Sequence, residues 1–325
     1  MPPYTHGGDV LTARARFGGD VLDCSANLNP LGMPPAVQAA AAAAAADSAR
    51  YPDPLCRALR AAIAAYDGVA PEQVLCGGGA AELIFRLAYA LRPRRALVTA
   101  PAFSEYEEAL TAAGCAVTRH PLRRENRFDV DGGLLDAIAP GVELVFLCTP
   151  NNPTGRLVDG ALLRAAAEQC RAVGAVLAVD ECFLPLSDGA GPGLAPCLAE
   201  YPNLLLLRAF TKSYAMAGLR LGYALSANGG LLERMAAAGP PWSVSTPAQA
   251  AGLAALEQCS DWPEKARALL ASERPALSDG LAALGLEGPA IGAAQRRLAA
   301  HILSHPEDNT PARLLALARA ELSGP

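Results

Sequence analysis

Four short runs of the chain are apolar almost without interruption: Ala96–Ala100, Leu144–Cys148, Ala175–Val179 and Leu204–Leu207. Runs of this length without alternation predict strands buried on both faces, as in a parallel sheet covered by helices. Stretches of helical character separate them, at Ala81–Leu91, Ser104–Ala113, Gly160–Val173 and the glycine-flanked Leu231–Ala238. The tract Ala39–Ala46 is of low complexity, and because alanine is the best helix former it predicts a plain helix. Strand and helix in alternation predict the α/β class: a mostly parallel central sheet with helices on both faces. Beyond Asn228 the strand pattern fades, and Ala248–Leu281 predicts one or two long helices broken near Trp262-Pro263. From Leu286 onward Gly288-Pro289 and His305-Pro306 interrupt the chain, and an Arg/Ala/Leu-rich helix is expected over Pro311–Leu322 with no strand beside it. No repeat of fixed period emerges, which argues against a solenoid.

Composition narrows the class. With 325 residues, 52% hydrophobic and 18% charged, the chain can bury a large core and has room for two domains. A net charge of −5 lacks the basic footprint of a nucleic-acid binder. No apolar stretch approaches the ~20 residues of a membrane span, and no basic-then-apolar leader opens the sequence, so a soluble cytoplasmic protein is expected. The nine cysteines are scattered singly and only four histidines accompany them, which leaves little for a metal site and reads as buried thiols in a reducing compartment.

Four segments carry candidate chemistry. Cys76-Gly77-Gly78-Gly79-Ala80-Ala81-Glu82 ends an apolar run and opens a helix, a place where backbone N–H groups and the helix dipole favour an anion; taken alone it is equally an ordinary turn. Thr149-Pro150-Asn151-Asn152-Pro153-Thr154-Gly155 leaves a buried strand at the end where ligands bind in open α/β sheets, and its composition also suits a plain turn. Asp180 and Glu181 end another strand, either as a base, a metal ligand or a partner for a buried cation, or as a helix cap. Lys212 lies in the largely apolar Arg208–Tyr223 segment, where burial would lower its pKa and leave a reactive neutral amine; a lone loop lysine is otherwise a solvated charge.

In this order, with Arg220 eight residues after Lys212, the four segments resemble a fold-type-I pyridoxal 5'-phosphate (PLP) enzyme of the aspartate aminotransferase superfamily. The resemblance runs from about His6 to Leu284. It implies that Lys212 holds PLP covalently, that Asp180 pairs with the pyridine nitrogen, and that Asn152 bonds the ring's 3-oxygen. Phe103 would stack on the ring. Gly79, Ala80, Ala81, Thr211 and Arg220 would hold the phosphate, with Tyr51 reaching it from the other subunit of a homodimer. His6, Asn29 and Gly32 fall in opening segments that resemble the threonine-phosphate decarboxylase branch of cobalamin biosynthesis, and are candidate substrate residues. Phe183, where aminotransferases carry tyrosine, and Pro241-Trp242-Ser243-Val244-Ser245 point the same way.

The implied reaction is decarboxylation of L-threonine O-3-phosphate, a small phosphorylated amino acid. A histidinol-phosphate-type aminotransferase is the alternative, and a PLP-retaining protein with impaired catalysis is a second. The implied domains are a large PLP-binding one over 33–227 and a small one over 228–325, against which 1–32 packs. After about residue 285 the sequence departs from the family: Arg296, Arg297, Arg313 and Arg319 are present but match none of its substrate-binding arginines.

Overall fold

The apolar runs form the centre of a single mixed sheet in a computed structural model, which describes residues 7–18, 23, 25–188, 191 and 193–283. His6, the helix expected over Pro311–Leu322, the segment after 285 and its four arginines lie outside the described residues. The strands are β1 (Val74–Gly77), β2 (Arg95–Ala100), β3 (Ala116–Pro121), β4 (Leu144–Cys148), β5 (Val176–Asp180), β6 (Leu204–Ala209) and β7 (Gly222–Leu225). Their spatial order is β1-β7-β6-β5-β4-β2-β3. From β6 to β3 every neighbour is parallel, whereas β7 runs antiparallel to both β6 and β1. The expected α/β class with a mostly parallel sheet holds.

Among the described residues the helices are α1 (Val10–Phe17), α2 (Pro35–Ala45), α3 (Arg57–Asp67), α4 (Ala80–Leu91), α5 (Ser104–Ala112), α6 (Gly133–Ala137), α7 (Gly160–Val173), α8 (Phe210–Ser213), α9 (Gly229–Ala237), α10 (Thr246–Gln258) and α11 (Trp262–Ala283). Helices cover both faces, and the pleat divides each central strand between them. Leu144, Phe146 and Cys148 of β4 join Leu205 and Leu207 of β6 in one core, with Leu83 and Leu87 of α4 and Tyr106 of α5. Val145, Leu147, Leu204 and Leu206 face the opposite core, with Ile63 of α3 and Ala166 of α7. The alanine tract has a packing reason: α2 lies along α10, whose buried residues are Ala248, Ala251, Gly252, Ala254 and Ala255, so small side chains on both helices let the backbones approach. The break expected near Trp262-Pro263 falls just ahead of them, at residues 259–261 between α10 and α11.

Two compact units make up the chain: Leu28–Arg267, and Met1–Asn27 with Ala268–Pro325. The first contains the whole sheet. In the second, Asp9 caps α1 by accepting the Thr12 N–H at 3.1 Å, and the Gly8 N–H donates to Ser25 Oγ at 2.8 Å. No helix among the described residues is long and apolar enough to cross a membrane.

Candidate active site

Parallel strands bring the loops after β2, β4, β5 and β6 to one edge of the sheet. Because β7 is antiparallel to both β1 and β6, the end of β1 reaches that edge as well. The carboxyl edge of an open α/β sheet is where ligands bind. Pairing sets the levels, with Cys148 beside Asp180 and Asp180 beside Leu207.

The two adjacent carboxylates diverge. Glu181 accepts from Arg208 Nε at 2.9 Å and Nη2 at 2.6 Å, and its other oxygen takes the Leu194 N–H at 2.8 Å. Arg208 also pairs with Asp67 at the end of α3, and all three side chains are buried, so Glu181 belongs to the scaffold. Asp180 is bonded differently. Its Oδ1 accepts the Cys182 N–H at 2.9 Å and its Oδ2 accepts the Tyr106 hydroxyl at 2.7 Å. Asp180 thus ends β5 as a buried carboxylate held by two neutral donors.

Lys212 follows β6 in the single turn of α8, half buried. Its Nζ lies 5.3 Å from the centre of the Phe183 ring. Burial pushes the ammonium below the ordinary lysine value and the Arg220 charge acts the same way, while Asp180 and Glu105 oppose them. The lysine turn is tied down by Asn29, whose N–H donates to the Lys212 carbonyl at 3.1 Å and whose side-chain amide donates to the Ser213 carbonyl at 2.7 Å. The Asn29 side-chain oxygen accepts from the Leu31 N–H at 2.9 Å. The structure therefore gives this candidate substrate residue backbone partners beside the lysine. Gly32, at φ 72°, has its carbonyl taken by the Trp262 indole at 3.0 Å.

The glycine loop is shaped by close approach. Gly79 caps α4 at φ 100° and ψ 164°, a conformation that only glycine adopts readily. A Cβ at 79 would come within 2.8 Å of Arg220 Nη2, and one at Gly222 would come within 2.7 Å of the Ala80 nitrogen. The first-turn N–H groups of α4, at Ala80 and Ala81, therefore open beside a guanidinium, with Thr211 next to Lys212 in α8. Glu82 steadies the loop by accepting the Gly78 N–H at 2.7 Å and binding Arg86 Nε at 2.7 Å.

The Asn pair splits its work. Asn151 is buried and donates to the Pro101 carbonyl at 3.1 Å and to Thr154 Oγ1 at 3.0 Å, which joins the loops after β2 and β4. Asn152 stays half buried after it, and Phe103 is half buried before α5. Tyr51, 79% exposed in the α2–α3 connection, stacks on Trp242 with ring centres 4.5 Å apart.

Sequence reasoning missed Tyr106 and the scaffold roles of Asn29 and Glu82. Tyr106 reads as a core aromatic, and only its position three residues after Phe103 hints at more. Glu82 stands three residues after the Gly79 cap, the spacing of a capping box.

These groups fit PLP. Helix N–H groups and a guanidinium suit a phosphate, a buried carboxylate suits a protonated ring nitrogen, and a lysine of lowered pKa suits the aldehyde.

Comparison with known proteins agrees. The family model for aminotransferase class I and II matches residues 19–294. The threonine-phosphate decarboxylase of Salmonella typhimurium is 38% identical over 262 residues, covering 80% of this chain and 71% of that protein. A histidinol-phosphate aminotransferase of Anaeromyxobacter is 36% identical over 291 residues, covering 88% of this chain and 78% of that one. Among solved structures, aspartate aminotransferase from Thermus thermophilus with maleate superposes with a TM-score of 0.73 at 28% identity, covering 85% of this chain and 76% of that chain. The chain belongs to the class I and II aminotransferase family of PLP-dependent, fold-type-I enzymes.

Proposed function

We propose that the protein decarboxylates L-threonine O-3-phosphate to CO₂ and (R)-1-aminopropan-2-yl phosphate, a step of cobalamin biosynthesis. The similarity to the Salmonella decarboxylase carries this reading, since it exceeds that to the Anaeromyxobacter aminotransferase. Phe183 adds support: its ring lies by the Lys212 amine, at the position where the resemblance gives aminotransferases a tyrosine.

When bound, PLP supplies an electron sink for the pair left on Cα as CO₂ departs. The chain's own residues bind and orient. Ala80, Ala81, Thr211 and Arg220 hold the cofactor phosphate, and Tyr51 of a second subunit completes that site in a homodimer. Phe103 would cover the ring, Asn152 would donate to its 3-oxygen, and Asp180 would keep its nitrogen protonated. Lys212 would offer the cofactor aldehyde an amine already disposed to be neutral, and would hold or deliver a proton at Nζ. Decarboxylation and transamination would share all of these residues; the outcome would depend on how the pocket orients the bonds to the substrate Cα.

Holoprotein incubated with threonine phosphate, and separately with histidinol phosphate plus 2-oxoglutarate, tests the proposal. CO₂ from the first mixture is the expected result. Glutamate from the second and no CO₂ from the first would replace the proposal with an aminotransferase. Neither product from PLP-loaded protein would leave a cofactor-retaining protein without this chemistry.

A further inference from the structure

Tyr106 is the largest buried side chain with a hydroxyl at the candidate site. It is 1% exposed, and a phenol buried this deeply needs a partner for its O–H. That partner is Asp180 Oδ2 at 2.7 Å. The direction of the bond is settled by charge: burial first, then the neighbouring Asp180, pushes the phenol well above its ordinary pKa, so Tyr106 stays protonated and donates. The Asp180 carboxylate is thus gripped from two elements, by Tyr106 of α5 on one oxygen and by the Cys182 N–H after β5 on the other at 2.9 Å. An ionised carboxylate has about four lone-pair directions, so acceptor capacity remains for a ring N–H.

The ring of Tyr106 is fixed as firmly as its hydroxyl. It stacks on Phe146 of β4 with centres 4.9 Å apart and planes 10° from parallel. Phe103 meets it edge to face, 5.6 Å between centres and 78° between planes. One side chain therefore touches both the carboxylate and the aromatic ring that the PLP reading sets against the cofactor. We infer that Tyr106 is a positioning residue for PLP, its hydroxyl orienting Asp180 toward the ring nitrogen and its ring backing Phe103. The inference rests on the PLP reading of this site.

If Tyr106 acts through Asp180, its effect on cofactor binding disappears when the carboxylate is gone. The test is a double-mutant cycle on PLP affinity, measured by titrating apoprotein with PLP, for the wild type, Tyr106→Phe, Asp180→Asn and the double variant. Tyr106→Phe should weaken binding roughly ten- to a hundredfold, the range for a hydrogen bond to a charged group. In the Asp180→Asn background the same change should cost less than about threefold. Equal losses in both backgrounds, or no loss in the wild-type background, would overturn the role given to Tyr106 and leave the PLP site standing. Unchanged affinity and an unchanged visible band in Asp180→Asn alone would overturn the PLP reading itself, and this inference with it. Should Tyr106→Phe not yield folded apoprotein, Tyr106→Met enters the same cycle, because its flexible side chain refills the space without a donor.

Discussion

The Arg220 guanidinium lies so close to Gly79 that a Cβ on residue 79 would come within 2.8 Å of Nη2. Residue 79 also sits at φ 100°, outside the range of ordinary side chains. Gly79→Ala should therefore strain the cap of α4 by about 1–3 kcal/mol and push the guanidinium away. Expected are a lower thermal midpoint of the apoprotein and at least tenfold weaker PLP binding. Both are read from one titration and one melting curve.

Lys212 should react as an amine more acidic than an ordinary lysine. The neutral form is the nucleophile, so the rate of PLP capture by apoprotein should rise with pH and level off below 10.5. Glu105 holds this pKa up, and Glu105→Gln should move the whole profile to lower pH. Stopped-flow absorbance at a series of pH values checks both; a plateau at or above 10.5 would contradict the burial argument.

Arg208 neutralises two buried carboxylates, Glu181 and Asp67. Removing the cation alone leaves both charges uncompensated, so Arg208→Met should cost about 3–5 kcal/mol of stability. Denaturant unfolding of the apoprotein measures it.

Tyr51 and Trp242 form a stacked pair exposed on this chain. If Tyr51 serves the neighbouring subunit's phosphate, Tyr51→Phe keeps the stack and weakens PLP binding by about 1.5–3 kcal/mol. Dilution should release cofactor in step with dimer dissociation, followed by sedimentation and absorbance together. A monomer holding PLP at full affinity would contradict the composite site.

The central strands were legible because burial on both faces leaves no polar positions, as in Leu144–Cys148 and Leu204–Leu207. Strand β3 was not: it lies at the sheet edge, four of its six residues are exposed, and Arg119 and His120 break any apolar run. Strand β7 has only four residues, and its pairing with both β1 and β6 comes from tertiary contact, not from local pattern. The order of Asp180, Lys212 and Arg220 along the chain could be read from spacing, and their roles belong to the proposed function. What spacing left open was the division of labour between neighbours. Asp180 and Glu181 look alike in sequence, and only the pleat sends one to Tyr106 and the other to Arg208. The amide of Asn29, a candidate substrate residue, donates to the Ser213 carbonyl 184 positions away, a contact no local pattern encodes.

Lys212 is the proposed attachment point of the cofactor, and the chain makes this easy to test because Lys265 is its only other lysine. Lys265 is exposed and pairs with Asp261 at 2.7 Å. Holoprotein reduced with borohydride and digested should carry the pyridoxyl-phosphate mass on the peptide containing Lys212 and on no other, and Lys212→Ala should carry none. The mass on Lys265, or its persistence in Lys212→Ala, would contradict the assignment of the site.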